Sequence, residues 1–242
     1  MKASKSKFFN FVKKYPLFKN FYYFYNIYFR NYKFLKNGSQ FGEDKLILSF
    51  FDKNYKGKFV DIGCFHPTRH NNTYSMYKRG WTGINIDLNP LTIELFNFFR
   101  KKDININAAI SDKEEVKTMY FIDELNTQNT LENNHLSFLK NHHGVKDDEI
   151  SIRETKTKRL DAILDNYNFK NIDFMNIDVE GHELNILSSI DFFKYNIKFI
   201  CIEMIDHNEK SKLINEKLAT ILYKNEYILE KKIDFNYIYK KN

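Results

Sequence analysis

Apolar and polar residues along this chain change rhythm three times. From Met1 to Lys36, aromatic clusters such as Phe21-Tyr22-Tyr23-Phe24-Tyr25 are broken by Asn and Lys, which predicts a helical extension with Pro16 as a break and Asn37-Gly38 as its stop. From Ser39 the pattern becomes strand and helix in turn. Ser39 to Asp44 leads into a helix to about Phe51, and short apolar runs predict strands at 59–63 and 83–87, with helices near 73–79 and 91–101. A third strand is expected over 104–110, where ININAAI alternates. This βαβαβ order implies a parallel sheet with right-handed crossovers. Segments 116–122 and 151–157 alternate and are expected to pair as added antiparallel strands, with the polar stretch 126–149 between them as an exposed, substrate-facing loop. The last third returns to the first rhythm: helix at 160–164, buried strand 172–178, helix 183–190, buried strand 197–203, helix 211–224, then a hairpin of 227–231 and 234–240. No repeat of solenoid length is visible.

The predicted strands end on acids. Asp61 closes the first, Asp87 the second and Asp178 a later one, with Glu203 as a fourth. Ligands of open α/β sheets bind at the carboxyl ends of the strands, near the point where strand order reverses, so these acids mark the predicted site. An acid at Asp87, one strand beyond a glycine turn, is the usual partner of a ribose diol, which implies a nucleoside. The turn itself has Gly63 followed by Cys64, Phe65, His66 and Pro67, without the three glycines that let backbone approach a pyrophosphate. A carboxylate at Asp61 would repel phosphates and suits an amino group and a sulfonium, the charge pattern of S-adenosylmethionine. Asp61 is expected to organise the turn and hold the methionine amino group, and Asp87 to take both ribose hydroxyls. Ala108 and Ala109 leave room for the adenine, with Ser111 or Asp112 at its edge.

The second chemical motif is Asn176-Ile177-Asp178-Val179-Glu180-Gly181-His182-Glu183. It places carboxylates and an imidazole where a hydroxyl acceptor must lose its proton, so Asp178, Glu180, His182 and His66 are the catalytic candidates. Asp178, Glu180 and Glu203 could also offer oxygen ligands to a divalent metal. The bland alternative is that Glu180 and Glu183 charge the first turn of a helix and His182 is a solvated helix residue. His135, His142 and His143 have no fixed ligand spacing, and Cys64 and Cys201 form no metal or disulfide framework, which fits a reducing cytoplasm.

Composition changes this picture in one place. The 242 residues are 43% hydrophobic and 17% aromatic, enough for one α/β core plus an extension. The net charge of +7 is concentrated in residues 1–36, which carry Lys2, Lys5, Lys7, Lys13, Lys14, Lys19, Arg30, Lys33 and Lys36 and no acid. The remainder is nearly neutral, which disfavours a nucleic-acid partner. The extension reads as a helix packed on the core or in an oligomer contact, or as one lying on an anionic membrane surface. No apolar run reaches the roughly 18 residues needed to span a bilayer, and no signal-peptide cleavage pattern is present.

At these motifs the chain resembles the FkbM family of S-adenosylmethionine-dependent methyltransferases. The resemblance covers roughly Ser39 to Glu203 and rests on SQFGED at 39–44, FVDIGCFHP at 59–67, Asn72-Thr73 and Lys78–Trp81, GINIDLNP at 83–90, NAAISD at 107–112, TKRLDAIL at 157–164 and IDVEGHELNIL at 177–187. It implies a class I methyltransferase fold: a Rossmann-like doubly wound α/β sheet with added β-strands, here spanning 39–242, preceded by the helical extension 1–38. It further implies O-methylation of a hydroxyl, often on a sugar, and places Gln40 beside the cofactor, together with Asp61, Gly63, Cys64, Phe65, Asp87, Leu88, Ala108 and Ala109. The bulky turn at 64–67 departs from the small-residue turn of many members. The competing reading, from another class, is a catalytically silent binding or scaffold subunit in bacterial surface-polysaccharide assembly, at the inner face of the membrane. Retention of Asp61, Asp87 and Asp178 favours the enzyme.

Overall fold

The computed structural model describes residues 14–30, 37–122, 129–206 and 208–242. Its main sheet has seven strands: β1 (Lys58–Ile62), β2 (Thr82–Asp87), β3 (Ile104–Asn107), β7 (Asn171–Ile177), β8 (Asn196–Glu203), β9 (Tyr227–Ile233) and β10 (Asn236–Lys241). Their spatial order is β3-β2-β1-β7-β8-β10-β9. All neighbours from β3 to β8 are parallel, and β10 runs antiparallel to both β8 and β9. The chain builds outward from β1 to β3, then resumes on the other flank of β1 with β7. The order therefore reverses between β1 and β7, and their carboxyl ends open the crevice where such sheets bind ligands.

Period-two alternation gives each face its own core. Val60, Ile62, Ile84, Ile86, Met175 and Ile177 bury one face beneath α6 (Leu160–Asn166), α7 (Glu183–Ser188) and α8 (Glu209–Lys224). Phe59, Phe174, Phe199 and Cys201 pack on the other with Trp81, Ile47 of α2 (Glu43–Ser49) and Met76 of α3 (Tyr74–Lys78). One register step further along, that second face turns polar: Asp61 lies level with Asn85 and Asn176. A fully buried Arg100, at the end of α4 (Pro90–Phe99), meets this polar layer.

Two elements differ from the pattern-based expectation. The strand expected over 104–110 breaks at Ala108: β3 stays in the main sheet, while β4 (Ala109–Ser111) leaves it to pair in parallel with β6 (Ser151–Arg159). β6 also pairs antiparallel with β5 (Val116–Phe121), as expected, completing a small second sheet. Residues 126–128 of the expected loop lie outside the described residues, and 129–149 is no loop; it contains α5 (Asn133–His143), whose Leu136 and Leu139 are buried and whose Gly144 closes it in the left-handed conformation. Pro16 stands at the first position of α1 (Pro16–Phe24), after an extended Tyr15, where a proline forfeits no helical hydrogen bond; the rest of the expected extension, 1–13 and 31–36, lies outside the described residues. A π-helical turn, Tyr25–Phe29, continues α1, and Tyr23 and Ile27 pack on Leu91 and Leu95 of α4. No helix among the described residues is long and apolar enough to cross a membrane.

Candidate active site

At the carboxyl ends of β1, β2 and β7 lies a cavity of about 330 Å³, within the roughly 300–1,000 Å³ range of small-molecule sites. The turn after β1 forms its floor. Gly63 and Cys64 donate their amides to the Ile86 carbonyl at 2.9 and 3.3 Å, and the Phe65 amide donates to Asp87 Oδ2 at 3.0 Å. Asp87 Oδ1 accepts from the Asn89 amide at 2.7 Å. Each oxygen keeps acceptor capacity for an incoming hydroxyl. Burial pushes the Asp87 carboxyl up to about 6, against the pull of these two amide donors.

Gln40, Asp61, Gly63, Cys64, Phe65, Asp87, Leu88, Ala108 and Ala109 all line this cavity. Asp61 does so from beneath, with both oxygens already engaged. Asn71 Nδ2 and Thr73 Oγ1 donate to Oδ2 at 3.0 and 2.8 Å, and Asn176 Nδ2 donates to Oδ1 at 2.9 Å. Arg100 stands behind, donating to Thr73 Oγ1 at 2.8 Å, Asn71 Oδ1 at 2.6 Å and the Pro67 carbonyl at 2.9 Å. Burial raises the Asp61 carboxyl and the Arg100 charge opposes it, with Thr73 and Asn71 bonded to both groups; Arg100 Nη1 also lies 3.9 Å from Asp103 Oδ2. Asp61 is thereby a keystone of the turn, and its Oδ1, with one donor, keeps acceptor capacity on the cavity side.

The catalytic candidates separate. Asp178 faces the cavity, and its carboxylate has no hydrogen-bond donor among the described residues. Burial, then the charges of Glu180 and Glu183, push it well above the usual carboxylate range. Glu203, at the end of β8, also lines the cavity and is raised by burial and by Asp178. Two carboxyls in one buried region resist double ionisation. Glu180 lines the cavity with φ of +56°, and its Oε2 lies 3.0 Å from His135 Nε2 on α5. Glu183 turns back, its Oε1 accepting the Val179 and Gly181 amides at 3.0 and 3.2 Å.

The two other histidine candidates are tied up. His182 is buried, with Nδ1 2.6 Å from Glu132 Oε1 and Nε2 2.9 Å from Ser111 Oγ. It lines the cavity and fastens the start of α5 to β4, so it is not a solvated helix residue. His66 does not line the cavity at all. Phe65 takes a left-handed φ of +51°, and the following imidazole is fully buried, its Nδ1 accepting the Thr68 and Arg69 amides at 3.2 Å each. Burial pulls His66 down to about 3, against the opposing influence of the Asn26 backbone. It fastens the turn from inside and has no reach to a reacting atom. Ser111 and Asp112, expected at an adenine edge, lie outside the cavity, where Ser111 serves His182.

His70, Asn71, Thr92, Asn129 and Leu131 line the cavity without having been singled out from the sequence. Among the described residues no group of three His, Cys, Asp or Glu is placed to hold a metal ion, so Asp178, Glu180 and Glu203 do not converge as a ligand set.

The Methyltransferase FkbM domain model matches residues 59–229, the span from β1 to β9. Two solved structures are similar in outline: a Methanococcus jannaschii fibrillarin pre-rRNA processing protein and a TehB-like SAM-dependent methyltransferase from Corynebacterium glutamicum. The first is 13% identical with a TM-score of 0.39, covering 79% of this chain and 69% of that one. The second is 11% identical with a TM-score of 0.40, covering 84% of this chain and 88% of that one. No curated protein matches. The family match spans the cavity's glycine turn, its ribose-type acid and the Asp178 motif together: the chain belongs to the FkbM family of S-adenosylmethionine-dependent methyltransferases.

Proposed function

We propose that the enzyme transfers a methyl group to a hydroxyl of a sugar, a glycan or a glycan precursor. The residues fit S-adenosylmethionine: a cavity of suitable volume, a turn with no room for a side chain at Gly63, an acid with spare acceptor capacity at Asp87, and two alanines opposite. When bound, that cofactor supplies a methyl group activated on a sulfonium. Asp87 would hold the ribose, and Ala108 and Ala109 would pass the purine. The Gly63–Phe65 turn would set the methionine end, with Asp61 keeping the turn in place.

The observation that carries oxygen as acceptor atom is the pair Asp178 and Glu203, two carboxyls on the cavity wall without hydrogen-bond partners among the described residues. With one proton between them, the ionised member accepts a hydrogen bond from an acceptor hydroxyl and the protonated member donates one, which orients a poor nucleophile. Asp178→Asn is expected to leave cofactor affinity intact and to lower turnover. Transfer of labelled methyl to a panel of sugar nucleotides and capsule fragments tests the reading. Failure to bind S-adenosylmethionine in calorimetry would leave the silent-subunit reading in its place.

The N-terminal helix supports a location as well. Leu17, Phe21 and Phe29 are 77%, 72% and 66% exposed, and Phe18, Phe24, Tyr25 and Tyr28 extend the same face. With no acid in the first 36 residues, this face suits an anionic membrane surface, at the inner face of the cell membrane. Co-sedimentation with phosphatidylglycerol vesicles, lost in Phe21→Ser and absent with phosphatidylcholine alone, is the expected result. Equal recovery with both lipids would refute it.

A further inference from the structure

We propose that a second cavity, of about 270 Å³ between α5 and α8, holds the acceptor as a neutral polyhydroxylated ring, and that His135 removes the proton of the reacting hydroxyl. The proposal rests on the methyltransferase reading of the first cavity. The two cavities meet: Glu203 lines both, and the Glu180–His135 pair bridges them, Glu180 on the cofactor side and His135 on the other. An acceptor seated between the helices would therefore reach the methyl group past the carboxyls already described.

Helical spacing builds the walls. His135, Phe138 and His142 project from one face of α5, and Ser211, Ile214 and Leu218 answer from α8. Phe138 and His142 lie with ring centroids 4.7 Å apart and 32° between their planes, a broad aromatic surface for the C–H face of a ring. Around it Asn141, Lys210 and Glu203 have no hydrogen-bond partner among the described residues, and they offer an amide, an ammonium and a carboxyl to hydroxyls. Glu132, Glu183 and Glu203 against Lys210 disfavour a phosphorylated acceptor in this cavity. The polar groups, the flat apolar surface and the acidic balance together select an uncharged sugar ring.

His135 is 9% exposed. Glu180 Oε2 lies 3.0 Å from its Nε2, at ion-pair distance but without the angle of a hydrogen bond, and no described residue bonds Nδ1. A carboxylate on one imidazole nitrogen makes the other the better base. The acceptor O–H bond breaks with its proton passing to Nδ1, an oxygen lone pair forms the new C–O bond, and the C–S bonding pair stays on sulfur as the sulfonium becomes a thioether. The imidazolium is stabilised by Glu180, which is a positioning residue.

Calorimetry with S-adenosylhomocysteine comes first, because absence of binding sinks the methyltransferase reading and this proposal together. With that ligand bound, saturation-transfer NMR against a panel of neutral methyl glycosides is expected to give binding to at least one, weakened about tenfold in Phe138→Ala. Asn141→Ala, at an exposed position, is expected to weaken it too and guards against a folding defect. If S-adenosylhomocysteine binds and no glycoside does, or if both variants bind the glycoside as the parent does, the acceptor assignment is overturned and the cofactor site stands. For the glycoside that binds, His135→Asn is expected to keep the NMR signal and the KM for the glycoside while lowering kcat about a hundredfold. An unchanged kcat overturns the role of His135.

Discussion

The Asp178 carbonyl oxygen lies 1.6 Å from where a β carbon on Gly63 would stand. The Asp178 amide in turn donates to the Ile62 carbonyl at 3.0 Å, so the ends of β1 and β7 are laced together immediately beneath the cavity. Gly63 also has φ of +81°. The close approach and the backbone conformation each demand glycine, for independent reasons.

Gly63→Ala is therefore expected to destabilise the fold by about 3 kcal/mol and to abolish cofactor binding, because strand and turn must separate to admit the methyl group. Urea unfolding with parallel calorimetry measures both; binding at parental affinity would contradict the geometry.

Arg100→Ala is expected to cost about 3–5 kcal/mol, since it leaves Asp61 charged, buried and without its cation. Combining Arg100→Met with Asp61→Asn should cost clearly less than the two single changes summed. Strict additivity in chemical denaturation would show that the two charges do not depend on each other.

Asp87 gives the site a pH dependence. Its carboxyl, raised to about 6 in the folded chain from 3.8, must be ionised to accept two ribose hydroxyls. Affinity for S-adenosylhomocysteine is expected to fall about tenfold per unit as pH drops below about 6. The stability contribution has the opposite sign: with a raised folded value it is fully present below 3.8 and lost as pH rises through about 6. Isothermal titration from pH 5 to 8 checks the first, and Asp87→Asn should flatten the profile.

His182→Ala removes partners from Ser111 and Glu132 at once, at an expected cost of about 1–3 kcal/mol. The loss should be local. Hydrogen exchange is expected to accelerate across 133–143 while β1, β2 and β7 keep their protection; unchanged exchange in α5 would show that the bridge does not hold it.

The sheet and its acids were legible because buried parallel strands advertise themselves as short apolar runs, and Asp61, Asp87 and Asp178 each interrupt one at its end. The helix α5 was hidden by its polar residues. Leu136 and Leu139 three apart, with Gly144 beyond, were the available signal among many Asn and His. His66 misled because a left-handed residue before it reverses the direction a side chain would otherwise take, and Phe65 is not a residue type that announces this. Arg100, in the run Arg100-Lys101-Lys102, reads as a solvated helix end; only its neighbours Asn71 and Thr73, far away in sequence, make it part of the site. The Glu180–His135 pair spans 45 positions, so neither residue's spacing could point to the other.

The two amide hydrogen bonds that His66 accepts have a thermodynamic consequence for the cofactor turn. A loop of this length left to itself would lose conformational freedom each time a ligand arrived, and that entropy would be subtracted from affinity on every turnover. With a fully buried His66 holding the amides of Thr68 and Arg69, the loss is taken once, when the chain folds.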